Sequence, residues 1–177
     1  DGSVARIPDS LTTVFHTAAG REVRDGGGVS PDIEVKQERL PNILFYLVRD
    51  NLIFDYATDY CLKHPAIASA KEFELTDADY EEFKNKVKGA DFKYDQQSEK
   101  ILNTLKEAAE FEGYMKDASD EFKALENKLK HNLDRDLDYF SKDIKKMIAE
   151  EIIKRYYYQE GAIIQQLKDD KDLDEAV

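Results

Sequence analysis

The placement of proline and glycine constrains the fold of this chain more than any other sequence feature. All four prolines lie within the first 65 residues, and five of the eight glycines lie within the first 28. The 112 residues after Pro65 contain no proline and are rich in Lys, Glu, Leu and Ala. Because proline breaks helices and these residues favour them, the long segment is predicted to be helical. The chain therefore divides near residue 35 into a strand-and-turn segment and a helical segment.

The first 35 residues contain short candidate strands bounded by turn residues. Residues 11–17 carry β-branched and aromatic side chains and are followed by a turn at Gly20, which predicts a strand and then a reversal. Residues 22–24 and 33–35 predict two more strands. Stable sheets need several strands and a covered face. We therefore expect segment 1–35 to be the terminal strands of a larger sheet, and to be extended, partly disordered or paired with a neighbouring copy in this chain alone.

Apolar spacing after residue 35 predicts a series of helices. The first begins at Pro41 and continues to about Lys63, and Thr76 is predicted to cap the second, which ends at Gly89. Further helices are predicted over about 95–114, 122–133, 133–158 and 162–167, followed by an acidic tail, 169–177, that frays. The predicted fold class is mainly α, with an antiparallel helical bundle over residues 36–177. Irregular heptads make a coiled coil over residues 99–155 a weaker alternative.

The charge of the chain excludes several kinds of partner. The net charge is −12, which disfavours nucleic acid and anionic membrane surfaces, because both are bound mainly through Lys and Arg. No apolar stretch approaches the roughly 18 residues that span a bilayer. The chain starts without Met and without a signal peptide, so we expect it to be processed or cut from a longer protein.

Metal and cofactor sites are not predicted. Cys61 is the single cysteine, and the three histidines lie far apart in the sequence. The glycines at 26–28 lack the Gly-Lys-Ser/Thr ending of a phosphate-binding loop. Four acids lack the glycine and terminal Glu of a calcium loop and are predicted to form a solvated helix face: Asp134, Asp136, Asp138 and Asp143.

A cluster of large polar and aromatic side chains occurs late in the helical segment, at Arg155, Tyr156, Tyr157 and Tyr158. Three adjacent tyrosines on a helix point in different directions, so at least one is expected to enter the core. The cluster is predicted to combine core packing with a protein interface, in preference to a ligand site.

A motif near the start of the chain resembles a known protease family. Its parts are Phe15-His16-Thr17-Ala18-Ala19-Gly20-Arg21 and Gly28-Val29-Ser30-Pro31-Asp32-Ile33. This order of a strand, a Gly-Arg turn and a Gly-Val-x-Pro-Asp-Ile element resembles the end of the protease core in C-terminal processing (tail-specific) peptidases. The resemblance assigns Gly20, Arg21, Gly28, Pro31 and Asp32 to a structural turn of that core.

The resemblance implies that the catalytic machinery lies elsewhere. Such peptidases are serine endopeptidases with a Ser/Lys dyad, and both residues precede the Gly-Arg turn. Here the first lysine is Lys36, and no earlier serine matches the nucleophile motif, so no catalytic residue is assigned and this chain alone is expected to be inactive.

The function that follows is that of the C-terminal region of a periplasmic serine-type processing peptidase. Its helical extension is expected to dock on, gate or oligomerise the protease. The expected partners are the rest of the parent protease, its protein or peptide substrates and a second copy. The alternative is a non-enzymatic helical protein-interaction module.

Overall fold

The computed structural model describes residues 9–25, 35 and 39–176. An antiparallel hairpin precedes a series of helices, which confirms the mainly α fold class. The strands and helices are β1 (Val14–His16), β2 (Glu22–Arg24), α1 (Asn42–Arg49), α2 (Leu52–Lys63), α3 (Asp77–Gly89), α4 (Gln97–Phe111), α5 (Ser119–Leu129), α6 (Leu133–Tyr139), α7 (Ser141–Gln166) and α8 (Lys171–Ala176).

The hydrophobic core is centred on the contact between α2 and α7, the most extensive contact between helices. Helices α1 and α3 pack against α2, and α6 packs against α7. The apolar positions of α7 recur at three- and four-residue spacing, so they share the buried face of the helix. The largest fully buried side chains come from α1, α3, α6 and α7: Phe83, Ile43, Leu44, Leu47, Leu137, Ile144, Ile148, Ile152, Ile153 and Val87.

Thr76 caps helix α3, as predicted, and with Asp79 it forms a capping box. The Asp79 amide donates to Thr76 Oγ1 over 3.2 Å, and the Thr76 amide donates to Asp79 Oδ2 over 3.2 Å. The two side chains thus satisfy amides that have no partner within the helix. The helix ends at Gly89, also as predicted.

The prediction of a single helix from Pro41 to Lys63 is wrong, because the structure has two helices there. Asn51 adopts a left-handed conformation with φ 58°, which separates α1 from α2. Asn tolerates this conformation better than most residues, and the preceding Asp50 also favours turns over helix interiors. The break turns α2 relative to α1, so that both helices bury apolar side chains in the same core.

Other predicted boundaries shift for similar local reasons. The first strand covers Val14–His16, not 11–17, and the helix predicted to reach residue 114 ends at Phe111, before Gly113 with φ 84°. The helix predicted over 133–158 is two helices separated at Phe140. The separate helix predicted over 162–167 belongs to α7 up to Gln166.

The acidic tail, which is predicted to fray, forms a short helix over Lys171–Ala176. Its start is capped by Asp170, whose Oδ1 accepts from the amides of Asp172 (2.9 Å) and Leu173 (3.0 Å). The predicted strand over 33–35 lies outside the described residues except for Val35, which is not part of a strand.

We predict that Phe83→Ala destabilises the chain by about 3–5 kcal/mol, the range for removing a fully buried phenyl ring. The Phe83 ring is completely buried and meets Tyr56 edge-on, with ring centroids 5.3 Å apart. Phe111 is 94% exposed, and Phe111→Ala is therefore the matched control, with an expected change within about 0.5 kcal/mol. Urea unfolding of both variants measures the difference, and equal effects would contradict this description of the core.

Candidate functional site

The predicted Gly-Arg turn joins the two strands of the hairpin. Thr17 and Arg21 close it: the Thr17 amide donates to the Arg21 carbonyl (2.9 Å), and the Arg21 amide donates to Thr17 Oγ1 (3.1 Å). Gly20 has φ 80°, and a Cβ there would meet no atom within 4 Å. The requirement for glycine is therefore conformational, because a side chain would strain the backbone without colliding with a neighbour.

The hairpin has an outward-facing backbone edge along β1. The strands pair Val14 with Arg24, Phe15 with Val23 and His16 with Glu22. Backbone hydrogen bonds join Thr13 to Asp25 and Thr17 to Arg21. Hydrogen-bonded and non-hydrogen-bonded pairs alternate along antiparallel strands, so Phe15 and Val23 are also a hydrogen-bonded pair. The backbone groups of Val14 and His16 then point away from β2, toward the position that a third strand would occupy.

The two faces of the hairpin differ in chemistry. Directly opposed residues share a face, so Phe15 and Val23 lie together on one side. Phe15 is 52% exposed and Val23 is 38% exposed. The opposite face carries Val14 together with an ion pair between Arg24 and Glu22 at 3.1 Å. One face of the hairpin thus presents an apolar pair that the described part of the chain leaves partly exposed.

The Arg155 side chain, predicted as an interface residue, connects α7 to α2. Its Nη2 donates to the Phe54 carbonyl and to Thr58 Oγ1, both at 3.1 Å. Its Nη1 donates to the carbonyl and to Oε1 of Glu151, at 2.6 and 2.8 Å. The guanidinium carbon also lies 4.6 Å from the centre of the Phe54 ring. The planar fork of an arginine allows all these contacts at once.

Tyr156 and Tyr157 hold the segment that follows α2 against α7. The Tyr156 hydroxyl donates to the His64 carbonyl, and the Tyr157 hydroxyl donates to the Ala68 carbonyl at 3.1 Å. Burial, and to a smaller extent the nearby Cys61 thiol, raises the pKa of Tyr156 to about 12. The phenol therefore remains a hydrogen-bond donor at physiological pH.

Tyr158 differs from its neighbours because its side chain is 79% exposed and its backbone leaves the helical region. Its φ and ψ are 54° and −150°, inside a run that is otherwise helical. This residue divides α7 into a first arm, residues 141–157, and a second arm, residues 159–166.

The structure places the predicted site residues in two separate features. Gly20 and Arg21 lie in the hairpin turn, and Arg155, Tyr156, Tyr157 and Tyr158 lie in α7. Within the second group, the first three side chains connect helices and loops of the domain, and Tyr158 faces solvent. Gly28, Pro31 and Asp32 lie outside the described residues.

A buried carboxylate forms a further polar cluster that the sequence pattern did not reveal. Asp136 is 4% exposed, so its assignment to a solvated face is wrong. It accepts hydrogen bonds from the Tyr94 hydroxyl (2.5 Å), Gln96 Nε2 (2.9 Å) and Arg135 Nη1 (3.2 Å). Burial, and then the bond to Asp136, raises the pKa of Tyr94, which keeps this donor protonated.

This cluster fixes the loop before α4 against α6. Two partners lie far away in sequence, so one-dimensional spacing could not identify them. Two other acids of the same helix form ion pairs with α3: Asp138 with Lys84 at 2.7 Å, and Asp134 with Lys88. The acidic residues of α6 thus orient it against α3 and the following loop.

Within residues 9–25, 35 and 39–176, no group of three or more His, Cys, Asp or Glu side chains could hold a metal ion. Among the helices of the same residues, none is both long enough and apolar enough to span a membrane.

The fold and the contacts of α7 define a helical domain whose polar side chains mainly hold its own elements together. Residues 43–177 match the family described as "Probable PDZ-protease, C-terminal helical domain", and the chain belongs to this family. The match confirms the predicted resemblance to the C-terminal region of a protease. Comparison with curated proteins found no match, and comparison with solved structures found none.

We predict that Arg155→Lys destabilises the chain by about 2 kcal/mol, because a lysine cannot make the forked, charge-assisted hydrogen bonds to α2. The matched control is Lys154→Arg, since Lys154 is exposed and pairs only with acids of its own helix in the described contacts. Its expected effect is within about 0.5 kcal/mol. Thermal and urea unfolding measure both, and an unaffected Arg155→Lys variant would refute the proposed connection.

Proposed function

We propose that this chain is the C-terminal region of a serine-type C-terminal processing peptidase located in the periplasm. In this proposal the hairpin completes a sheet of the catalytic core, and the helical domain docks on that core. The serine nucleophile, its lysine and the PDZ module belong to the part of the parent protease outside this chain. The chain alone then has no peptidase activity.

The observation that carries the proposal is the exposed hairpin beside a helical domain of the protease family. An isolated two-stranded hairpin is marginally stable in water. The outer edge of β1 and the apolar pair Phe15 and Val23 supply what docking requires, namely backbone groups for strand addition and a surface to bury. The Gly20-Arg21 turn belongs to the motif that resembles the end of the peptidase core.

The helical domain is suited to dock as one body. Arg155 and Tyr156 fix α7 to α2 and its following loop, and Asp136 fixes α6 to the loop before α4. An apolar surface on α4, formed by Ile101 (59% exposed) and Leu105 (52% exposed), is available for contact with the protease core. Gating of access to the active site would follow from movement of this body as a unit.

A matched pair of hairpin variants in the parent protease tests the proposal. Val23 and Val14 are both 38% exposed but lie on opposite faces of the hairpin. We predict that Val23→Asp reduces peptidase activity at least about tenfold, because a carboxylate would be buried against the core. Val14→Asp should retain activity within a factor of about three.

Circular dichroism of both variants separates loss of docking from loss of the helical fold, since the hairpin contributes nothing to the helical core. Equal activities for the two variants would contradict docking through the Phe15–Val23 face. Full activity of a parent protease without residues 9–25 would contradict the proposal as a whole and favour a helical interaction module.

A further inference from the structure

Helix α7 reverses direction at Tyr158. Glu150 lies eight residues before Tyr158 and Gln166 lies eight residues after it, yet Gln166 Nε2 donates to Glu150 Oε1 over 2.7 Å. In a straight helix the two residues would be about 24 Å apart. The second arm therefore folds back along the first.

The reversal takes place at a backbone conformation that strains a tyrosine. A φ of 54° with a ψ of −150° is adopted almost only by glycine. The Tyr158 side chain is 79% exposed, so little packing compensates for the strain at this position. A helical conformation at this one residue would remove the strain and join the two arms into one continuous helix.

Gly161 fits the folded-back arrangement and no larger residue does. A Cβ at Gly161 would lie 2.3 Å from the Cβ of Tyr157 and 2.9 Å from Cγ2 of Ile153. Residues four apart in a straight helix have Cβ atoms about 5–6 Å apart, so this collision exists only because the helix reverses. The position thus distinguishes a folded-back α7 from a straight one.

The second arm docks on a surface that its own chain provides. Lys168, just after the arm, donates to the Phe73 carbonyl over 2.8 Å, and Ala162 and Gln165 are buried. Gln165 Oε1 is a buried oxygen for which the described residues supply no hydrogen-bond partner. The second arm therefore makes specific contacts with this surface, but one of its buried hydrogen-bond acceptors is left without a partner among the described residues.

We propose that two copies of this chain exchange their second arms and form a dimer around straightened α7 helices. The contacts between Glu150 and Gln166 are symmetric about Tyr158. Two straight α7 helices aligned antiparallel about that residue would place Gln166 of each copy beside Glu150 of the other. The contacts of the second arm would be recovered between copies, except that between Gly161 and Tyr157, which the reversal itself creates. Such recovery is the requirement for a domain-swapped, two-fold interface.

The partner for this docking surface is a second copy, because the surface is complementary to the second arm itself. It offers the carboxylate that Gln166 meets and the carbonyl that Lys168 reaches. Strained, short hinges promote such exchange. This inference is independent of the proposed docking of the hairpin, since it uses only contacts within and beside α7.

Three variants of the full chain test the exchange by light scattering after size-exclusion chromatography. Gly161→Ala should strengthen dimerisation at least about tenfold, because its methyl group collides with the Cβ of Tyr157 only in the reversed helix. Tyr158→Gly should weaken dimerisation at least about tenfold, because glycine adopts the reversed conformation without strain. Gly89→Ala is the matched control, since a Cβ there meets nothing within 4 Å, and it should leave the dimer unchanged.

A cross-linking experiment distinguishes arm exchange from other forms of dimer. In a Cys61→Ala background, one chain carries Glu150→Cys and a second chain of different mass carries Gln166→Cys. A short bis-maleimide should link the two chains after they are mixed and partly unfolded, because only exchange brings these two thiols together. Replacing Glu150→Cys with Glu112→Cys, an exposed position just after α4, should abolish the link.

The inference is overturned if Gly161→Ala remains monomeric, or if it dimerises without the cross-link between positions 150 and 166. It is also overturned if Tyr158→Gly dimerises as strongly as the original chain. A cross-linked dimer that increases with Gly161→Ala and decreases with Tyr158→Gly supports it.

Discussion

The packing of α7 against α2 is the interaction on which the rest of the structure depends. The apolar face of α7, including Ile148 and Ile152, is completely buried, and α1, α3 and α6 close the core around this pair of helices. Arg155 then fixes the relative position of the two helices through hydrogen bonds to Phe54 and Thr58. Burial provides most of the stability, and the hydrogen bonds select one arrangement among the possible packings.

Much of this architecture could be predicted from sequence because it depends on local signals. The absence of proline after Pro65 and the spacing of apolar residues predicted the helices, and Thr76 predicted the start of α3. The breaks at Asn51 and Tyr158 could not be placed in the same way. The local preference of Asn51 is hidden by the continuous apolar stripe in which it lies, and Tyr158 adopts a conformation that its own preference opposes.

The candidate functional features also separate into those that local sequence signals could predict and those that depend on residues distant in sequence. The Gly20-Arg21 turn was identified from a motif, since a tight turn imposes a local requirement on the residue type. The burial of Asp136 could not be identified, because its partners Tyr94 and Gln96 come from a distant loop. In α7, the group Arg155 to Tyr157 turned out to face other parts of the domain, and the exposed Tyr158 marks the reversal of the helix.

The central claim of the proposed function is that the hairpin, attached to a stable helical domain, completes a sheet of the parent protease. Amide hydrogen exchange at Val14 and His16 tests this claim most directly, because their backbone groups point away from β2. We predict fast exchange at both amides in the isolated chain and strong protection in the parent protease. Equal exchange in the two proteins, fast or slow, would contradict it.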